Sequence, residues 1–170
     1  TLFSLSKDAD KGRFQEIKPI LHKVLDNWSD RKDGATTGVP SSFFDLDNML
    51  SGFQKSDLII VAGRPSMGKT ALALNFGRNI AIDHKLKVGY FSLEMSSKQL
   101  VERLVTSESK TDSHLVRTGK LPKNEWKKLS EGASVLSESD IYIDDSADLN
   151  IMELRAKARQ LKVDKDIDII

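Results

Sequence analysis

The residues best suited to chemistry form an octet, GRPSMGKT: Gly63, Arg64, Pro65, Ser66, Met67, Gly68, Lys69 and Thr70. Glycine, four residues, then glycine, lysine and threonine is a spacing that suits a polyphosphate. Phosphate charge must be met by donors without steric obstruction, and glycines let a loop aim its backbone N–H groups inward because no Cβ intrudes. A helix opening at Lys69 adds its own unpaired N–H groups and the positive end of its dipole. Lys69 would then reach the β and γ phosphates of a nucleotide, and the Thr70 hydroxyl would ligate Mg²⁺. At ordinary residue frequencies the pattern arises by chance in under about 1% of chains this long. The alternative is a tight strand-to-helix turn with an incidental lysine. Context favours the phosphate reading, because the apolar run LIIVA precedes the octet and a helical pattern follows it.

A second candidate is Glu94, in FSLEM, just past the next apolar run. Ligands of open parallel sheets collect at the carboxyl ends of the strands, where a carboxylate can orient an attacking water. From position alone, a capping or surface glutamate is the stronger reading. Asp144 and Asp145, in YIDDS, end a later run and read as turn chemistry before a helix, with an approach to Mg²⁺ as the alternative. His22, His84 and His114 lack ligand spacing. Arg155, Lys157, Arg159 and Lys162 read as a solvated helix face, with nucleic-acid contact as the alternative.

The elements that must position these groups follow from periodicity. Phe14, Ile17, Leu21, Val24 and Trp28 stand three and four apart and predict a helix from about Glu16 to Arg31, with Pro19 tolerated in its first turn. Its stripe either packs on the same core as the rest or belongs to a separate arm. The Gly-, Thr- and Ser-rich stretch RKDGATTGVPSS then reads as a loop.

Beyond Gly52, strand and helix alternate. Leu58–Ala62 predicts a strand covered on both faces. The octet leads into a helix carrying Ala71, Leu74 and Ile82. Val88–Leu93 predicts a second strand. Ser97 to about Ser109 predicts a helix with Leu100, Leu104 and Val101 inward, and Pro122 to about Leu136 another with Trp126 and Leu129. Ile141–Ile143 reads as a strand, Leu149–Val163 as a helix, and Ile167–Ile170 as the start of a further strand. Such alternation argues for an α/β fold, a parallel sheet flanked by helices.

Bulk composition agrees with a globular chain. The 170 residues are 39% hydrophobic and 30% charged, enough for one domain with an adequate core. A net charge of +1 supplies no global pull toward nucleic acid, though a local basic patch fits inside that total. The absence of cysteine excludes disulfides, thiolate metal sites and a cysteine nucleophile, which accords with a reducing compartment. No apolar run is long enough to predict a membrane span.

Taken together, TGVPSSFFDLDNMLSGFQKSDLIIVAGRPSMGKTALALN, FSLEMSSKQLVERL, RTGKL, IYIDDS and RAKARQL resemble the ATPase domain of the DnaB-type replicative DNA helicases, over Thr37 to Ile170, with the preceding helix similar to that family's linker helix. GRPSMGKT alone marks a P-loop ATPase; its combination with FSLEM and IYIDDS is far more specific.

The resemblance implies a RecA-like P-loop fold truncated at the Walker B strand, a linker segment over 1–36 and a motor part over 37–170. It also implies a homohexameric ring around single-stranded DNA with ATP and Mg²⁺ at subunit interfaces, primase and a helicase loader as partners, and a location in the bacterial cytoplasm or a plastid stroma. The implied activity is ATP-driven 5′-to-3′ unwinding; the alternative is a RecA-fold ATPase of recombination or protein remodelling. The resemblance makes Glu94 the catalytic glutamate, reversing its reading from position alone, and makes Lys69 and Thr70 the phosphate lysine and the Mg²⁺ hydroxyl. Two departures stand out. Ser42 occupies a position where the family usually has glycine. The Walker B aspartate is expected beyond Ile170, since Asp168 lies inside its strand and is rejected as a substitute, so these 170 residues alone are expected to be inactive.

Overall fold

Apolar residues three and four apart wind Ile17–Ser29 into helix α1, with Pro19 in the first turn, where its missing N–H has no intrahelical partner to lose. The structure is a computed structural model that describes residues 16–29 and 36–170. Phe14, the first residue of the apolar stripe, and Arg31, the predicted end of the helix, fall outside the described residues, as does part of the loop after it. A boundary between two units falls at Ala35, and the second runs from Thr36 to Ile170.

That second unit begins with a strap. Val39 and Phe53 exchange backbone hydrogen bonds at 2.9 and 2.8 Å and close a loop containing helix α2, Phe44–Leu50, which periodicity did not reveal. Asp47, in the first turn of α2, accepts from the Ser41 and Ser42 N–H groups, each at 2.9 Å, and from the Ser41 hydroxyl at 2.8 Å. Ser41 is completely buried. Ser42, at the position where glycine was expected, adopts the geometry glycine favours, with φ of 63°, and its hydroxyl pairs with His84 Nε2 at 2.8 Å. Asp47→Ala strands the donors around a buried serine and should therefore destabilise the chain by about 2 kcal/mol. Urea denaturation checks this; an unshifted midpoint would contradict it.

The octet leads into α3, Lys69–Arg78, which continues as a π-helical turn over Asn79–Asp83. The predicted single helix through Ile82 is thus two pieces. Arg78 at the junction pairs with Asp83 at 2.8 Å and with Glu108 at 2.6 Å.

Strand β1, Val88–Phe91, pairs in parallel with β2, Ile141–Asp144, in the register Val88 to Ile141 through Phe91 to Asp144. On its other edge β1 meets Ile169 in one parallel bridge, so the strand expected over Ile167–Ile170 is represented by that contact. Helices α4, Ser97–Glu108, α5, Ser113–Arg117, and α6, Lys123–Ser137, connect the two strands, and α7, Ile151–Lys165, follows β2.

Two apolar clusters form the interior. One gathers Phe53, Ile80, Ala81 and Val88; the other gathers Leu74, Leu100 and Leu104 between α3 and α4. Phe76 sets its ring edge-on to both Phe43 and Phe53 at 5.3 Å, which ties the strap to α3.

Two expectations need correction. Leu58–Ala62 forms no ladder: a strand covered on both faces needs hydrogen-bonded neighbours at its edges, and among the described residues nothing pairs with it. The segment keeps a period of two, with Leu58 and Ile60 far more exposed than Ile59 and Val61, which face Phe76, Val88 and Ile169 across a cavity. Val101 is also not inward, being 46% exposed, because the buried side of α4 runs through Leu100, Leu104 and Thr106.

Candidate functional site: the loop before α3 and the bend after β1

The turn preceding α3 is built for left-handed backbone. Ser66 has φ of 61° and Gly68 φ of 85°, and the Met67 N–H donates to the Arg64 carbonyl at 3.2 Å to close the turn. Gly68 is the N-cap of α3, and no side chain caps the helix. The N–H groups of the first turn are therefore unclaimed by any capping side chain, at the positive end of the dipole. A Cβ built at Gly68 meets no heavy atom within 4 Å, so the space before the helix is open. Lys69 lays its ammonium back across the loop and donates to the Gly63 carbonyl at 3.1 Å. Uncapped donors, one flexible ammonium and open space fit a polyphosphate group.

Glu94 lies in the bend between β1 and α4, and this bend is anchored on both sides. On the strand side, the Ser92 N–H donates to the Asp144 carbonyl at 2.8 Å, and the Ser92 hydroxyl donates to the Met95 carbonyl at 2.6 Å. On the helix side, Ser96 and Gln99 form a reciprocal capping box, and Asp145 accepts the Ser97 N–H at 2.7 Å. The anchors leave the Glu94 carboxylate exposed and unpaired among the described hydrogen bonds.

The two halves meet. Lys69, Thr70 and Glu94 all line one open cavity of about 410 Å³, whose wall is completed by Val61, Tyr90 and Phe91 among others. The exposed residues Gly63 to Gly68 stand outside this wall, as do Asp144 and Asp145.

Asp144 and Asp145 are engaged elsewhere. Lys157 places its ammonium 2.6 Å from Asp144 and 2.9 Å from the Ser146 hydroxyl, and the Ser146 N–H donates to Asp144 at 3.0 Å. The Lys157 hydrogen bond, followed by those from Ser146, holds the Asp144 carboxyl down at about 2. A carboxyl depressed on folding contributes stability above its unfolded value of about 3.9, and the contribution fades as pH falls toward 2. Lys157→Met should raise the Asp144 pKa toward the ordinary range, as read by carboxyl-carbon NMR titration; a midpoint still near 2 would assign the effect to Ser146 alone. The Ser97 N–H likewise lowers the Asp145 pKa.

Of the four bases on α7, Lys157 is thus paired internally, and Lys162 binds Asp166 at 2.7 Å and the Ile167 carbonyl at 2.8 Å. Arg155 and Arg159 are exposed. His84 contacts Ser42, and no group of three or more His, Asp or Glu suited to a metal occurs among the described residues. Sequence reasoning missed Tyr90, Ser92 and Arg78. The SSKQ capping box was a readable local signal for the α4 start, but partners 16 to 52 residues apart carry none.

A profile described as the DnaB-like helicase C-terminal domain matches residues 38–170. The chain is 44% identical over 171 residues to the replicative DNA helicase DnaB of Geobacillus stearothermophilus, covering 99% of this chain and 38% of that one. It is 41% identical over 172 residues to the replicative DNA helicase DnaC of Bacillus subtilis, covering 100% and 38%. The chain therefore spans about two fifths of these relatives. Among solved structures, the ATPase domain of G40P superimposes with a TM-score of 0.85 at 31% identity, covering 92% of this chain and 56% of that one. A DnaB-like replicative helicase, described with its interactions with primase, superimposes with a TM-score of 0.83 at 32% identity, covering 91% and 38%. The fold is thus the RecA-like α/β arrangement of such ATPase domains.

Proposed function

This chain belongs to the DnaB-like helicase C-terminal domain family, and on that footing we propose that it is the ATP-binding part of a replicative helicase motor that unwinds duplex DNA in the 5′-to-3′ direction. The observation that carries this reading is the convergence of Lys69, Thr70 and Glu94 on one cavity. On this reading the loop Gly63 to Gly68 and the first turn of α3 cradle the phosphates of ATP, and Lys69 places its charge on the β and γ groups. Mg²⁺, held by the Thr70 hydroxyl, would supply neutralisation of the phosphate charge. Glu94 orients a water and accepts its proton as the water oxygen bonds to the γ phosphorus and the bond to the β-phosphate oxygen breaks. Lys69 faces the charge that develops on the transferred group.

The same reading divides the chain into a linker segment, 1–36, and a motor part, 37–170; a compact unit starting at Thr36 supports that division. It takes the complete protein to be a homohexamer on single-stranded DNA in the bacterial cytoplasm or a plastid stroma, working with a primase and a loader. The solved relative described with primase supports the primase assignment. The test is strand displacement by the full-length protein from a forked duplex. ATP-dependent release that requires a 5′ single-stranded tail is expected. ATP hydrolysis without release would favour the RecA-fold ATPase of recombination or remodelling.

A further inference from the structure

The cavity has two walls from different parts of the chain, and one side chain spans them. Tyr90, in β1, donates its hydroxyl hydrogen bond to the Ala73 carbonyl of α3 at 2.7 Å, with the Leu74 carbonyl at 3.4 Å. Ala73 lies four residues beyond Lys69 and three beyond Thr70; Tyr90 lies four residues before Glu94. The bond is therefore a short tie between the phosphate-binding helix and the glutamate-bearing bend. The rest of the side chain strengthens the tie. Its ring packs against both apolar clusters, and it lies against Gly77, where a built Cβ would overlap the hydroxyl. Only glycine at 77 admits the ring so close to the helix. Burial pushes the Tyr90 pKa up, so the hydroxyl stays a donor throughout the physiological range. A separate side-chain tie joins α3 to α4, Arg78 to Glu108, and it acts at the far ends of both helices.

We propose that Tyr90 is a positioning residue for ATP hydrolysis: its bond to the Ala73 carbonyl sets the placement of Lys69 and Thr70 relative to Glu94. This rests on the helicase reading above. Binding of the phosphates needs only the loop and the α3 N-terminus, whereas turnover needs both walls in register. Small misplacements of reacting groups cost turnover steeply.

The experiment compares full-length wild-type, Tyr90→Phe and Lys69→Ala proteins in steady-state ATP hydrolysis, with Mg·ATP titrations and thermal melts alongside. Tyr90→Phe should lower kcat about tenfold while the KM for ATP and the nucleotide affinity stay within about twofold. Gly77→Ala, which disturbs the same tie from the helix side, should show the same split. A Tyr90→Phe protein with unchanged kcat overturns the proposal, as does a loss of nucleotide affinity equal to the loss of kcat, which marks a merely structural residue. A wild-type protein that hydrolyses no ATP, or hydrolysis indifferent to Lys69→Ala, overturns the helicase reading and the proposal with it.

Discussion

Lys69→Ala should weaken Mg·ATP binding by roughly 10²-fold or more while leaving the fold intact, because it removes a charge-assisted phosphate contact from a loop that the remaining residues still shape. The lysine contributes little to the protein's own stability. It is exposed at the N1 position of α3, and its hydrogen bonds run only to the carbonyls of Gly63 and Arg64, at 3.1 and 3.5 Å. The left-handed turn is made by Ser66, Gly68 and the bond from Met67 to Arg64, none of which the substitution touches. Its effect on stability should stay within about 0.5 kcal/mol, as for most exposed positions. Nucleotide titration and thermal melting on one preparation decide the matter. Unchanged affinity with an unchanged melting temperature would remove Lys69 from the phosphate site.

Glu94→Gln in the full-length protein should separate binding from turnover. The amide keeps the shape of the side chain but accepts no proton, so kcat should fall by roughly 10²-fold or more with ATP affinity nearly unchanged. The shape of the bend does not rest on the Glu94 carboxylate. The bend is held by Ser92, Ser96, Gln99 and Asp145, and no described hydrogen bond uses the Glu94 carboxylate. A kcat within twofold of wild type would leave the glutamate without a chemical role. Asp144 would make a poor substitute, since it lines a different cavity and is committed to Lys157.

The local part of this architecture was legible in the sequence. Helical stripes located α4, α6 and α7, and the start of α1, to within about two residues, and capping chemistry such as Ser96 with Gln99 and Asn150 with Glu153 marks where two of them start. The octet announced a glycine-shaped loop before a helix, and that loop is present; its left-handed backbone at Ser66 and Gly68 is what the structure adds. What failed had no local signal. LIIVA has strand composition, but a ladder requires a partner, and hydrophobicity says nothing of one. Helices α2 and α5, with seven and five residues, are too short for a period to emerge. The π-helical turn follows Arg78, whose partner Glu108 lies thirty residues away and leaves no local signal.

The site divides the same way. Gly63 to Thr70 stood out as a candidate from spacing alone, whereas Glu94 in isolation looked like a surface residue. It lines the same cavity as Lys69 and Thr70 only once β1 packs against α3, and the bond between those elements, Tyr90 to Ala73, is seventeen residues long in sequence. Ser42 shows the converse. Glycine was expected there, and serine takes the same left-handed backbone because Asp47 and His84 bind it in place.

In the proposed mechanism the loop before α3 holds ATP and Glu94 activates the water that cleaves it. Rapid mixing of full-length Glu94→Gln protein with limiting radiolabelled Mg·ATP, followed by acid quench, tests that division of labour directly. The bound nucleotide should be recovered as intact ATP over times in which wild-type protein converts it to ADP and phosphate. Conversion of the bound ATP at the wild-type rate would contradict it.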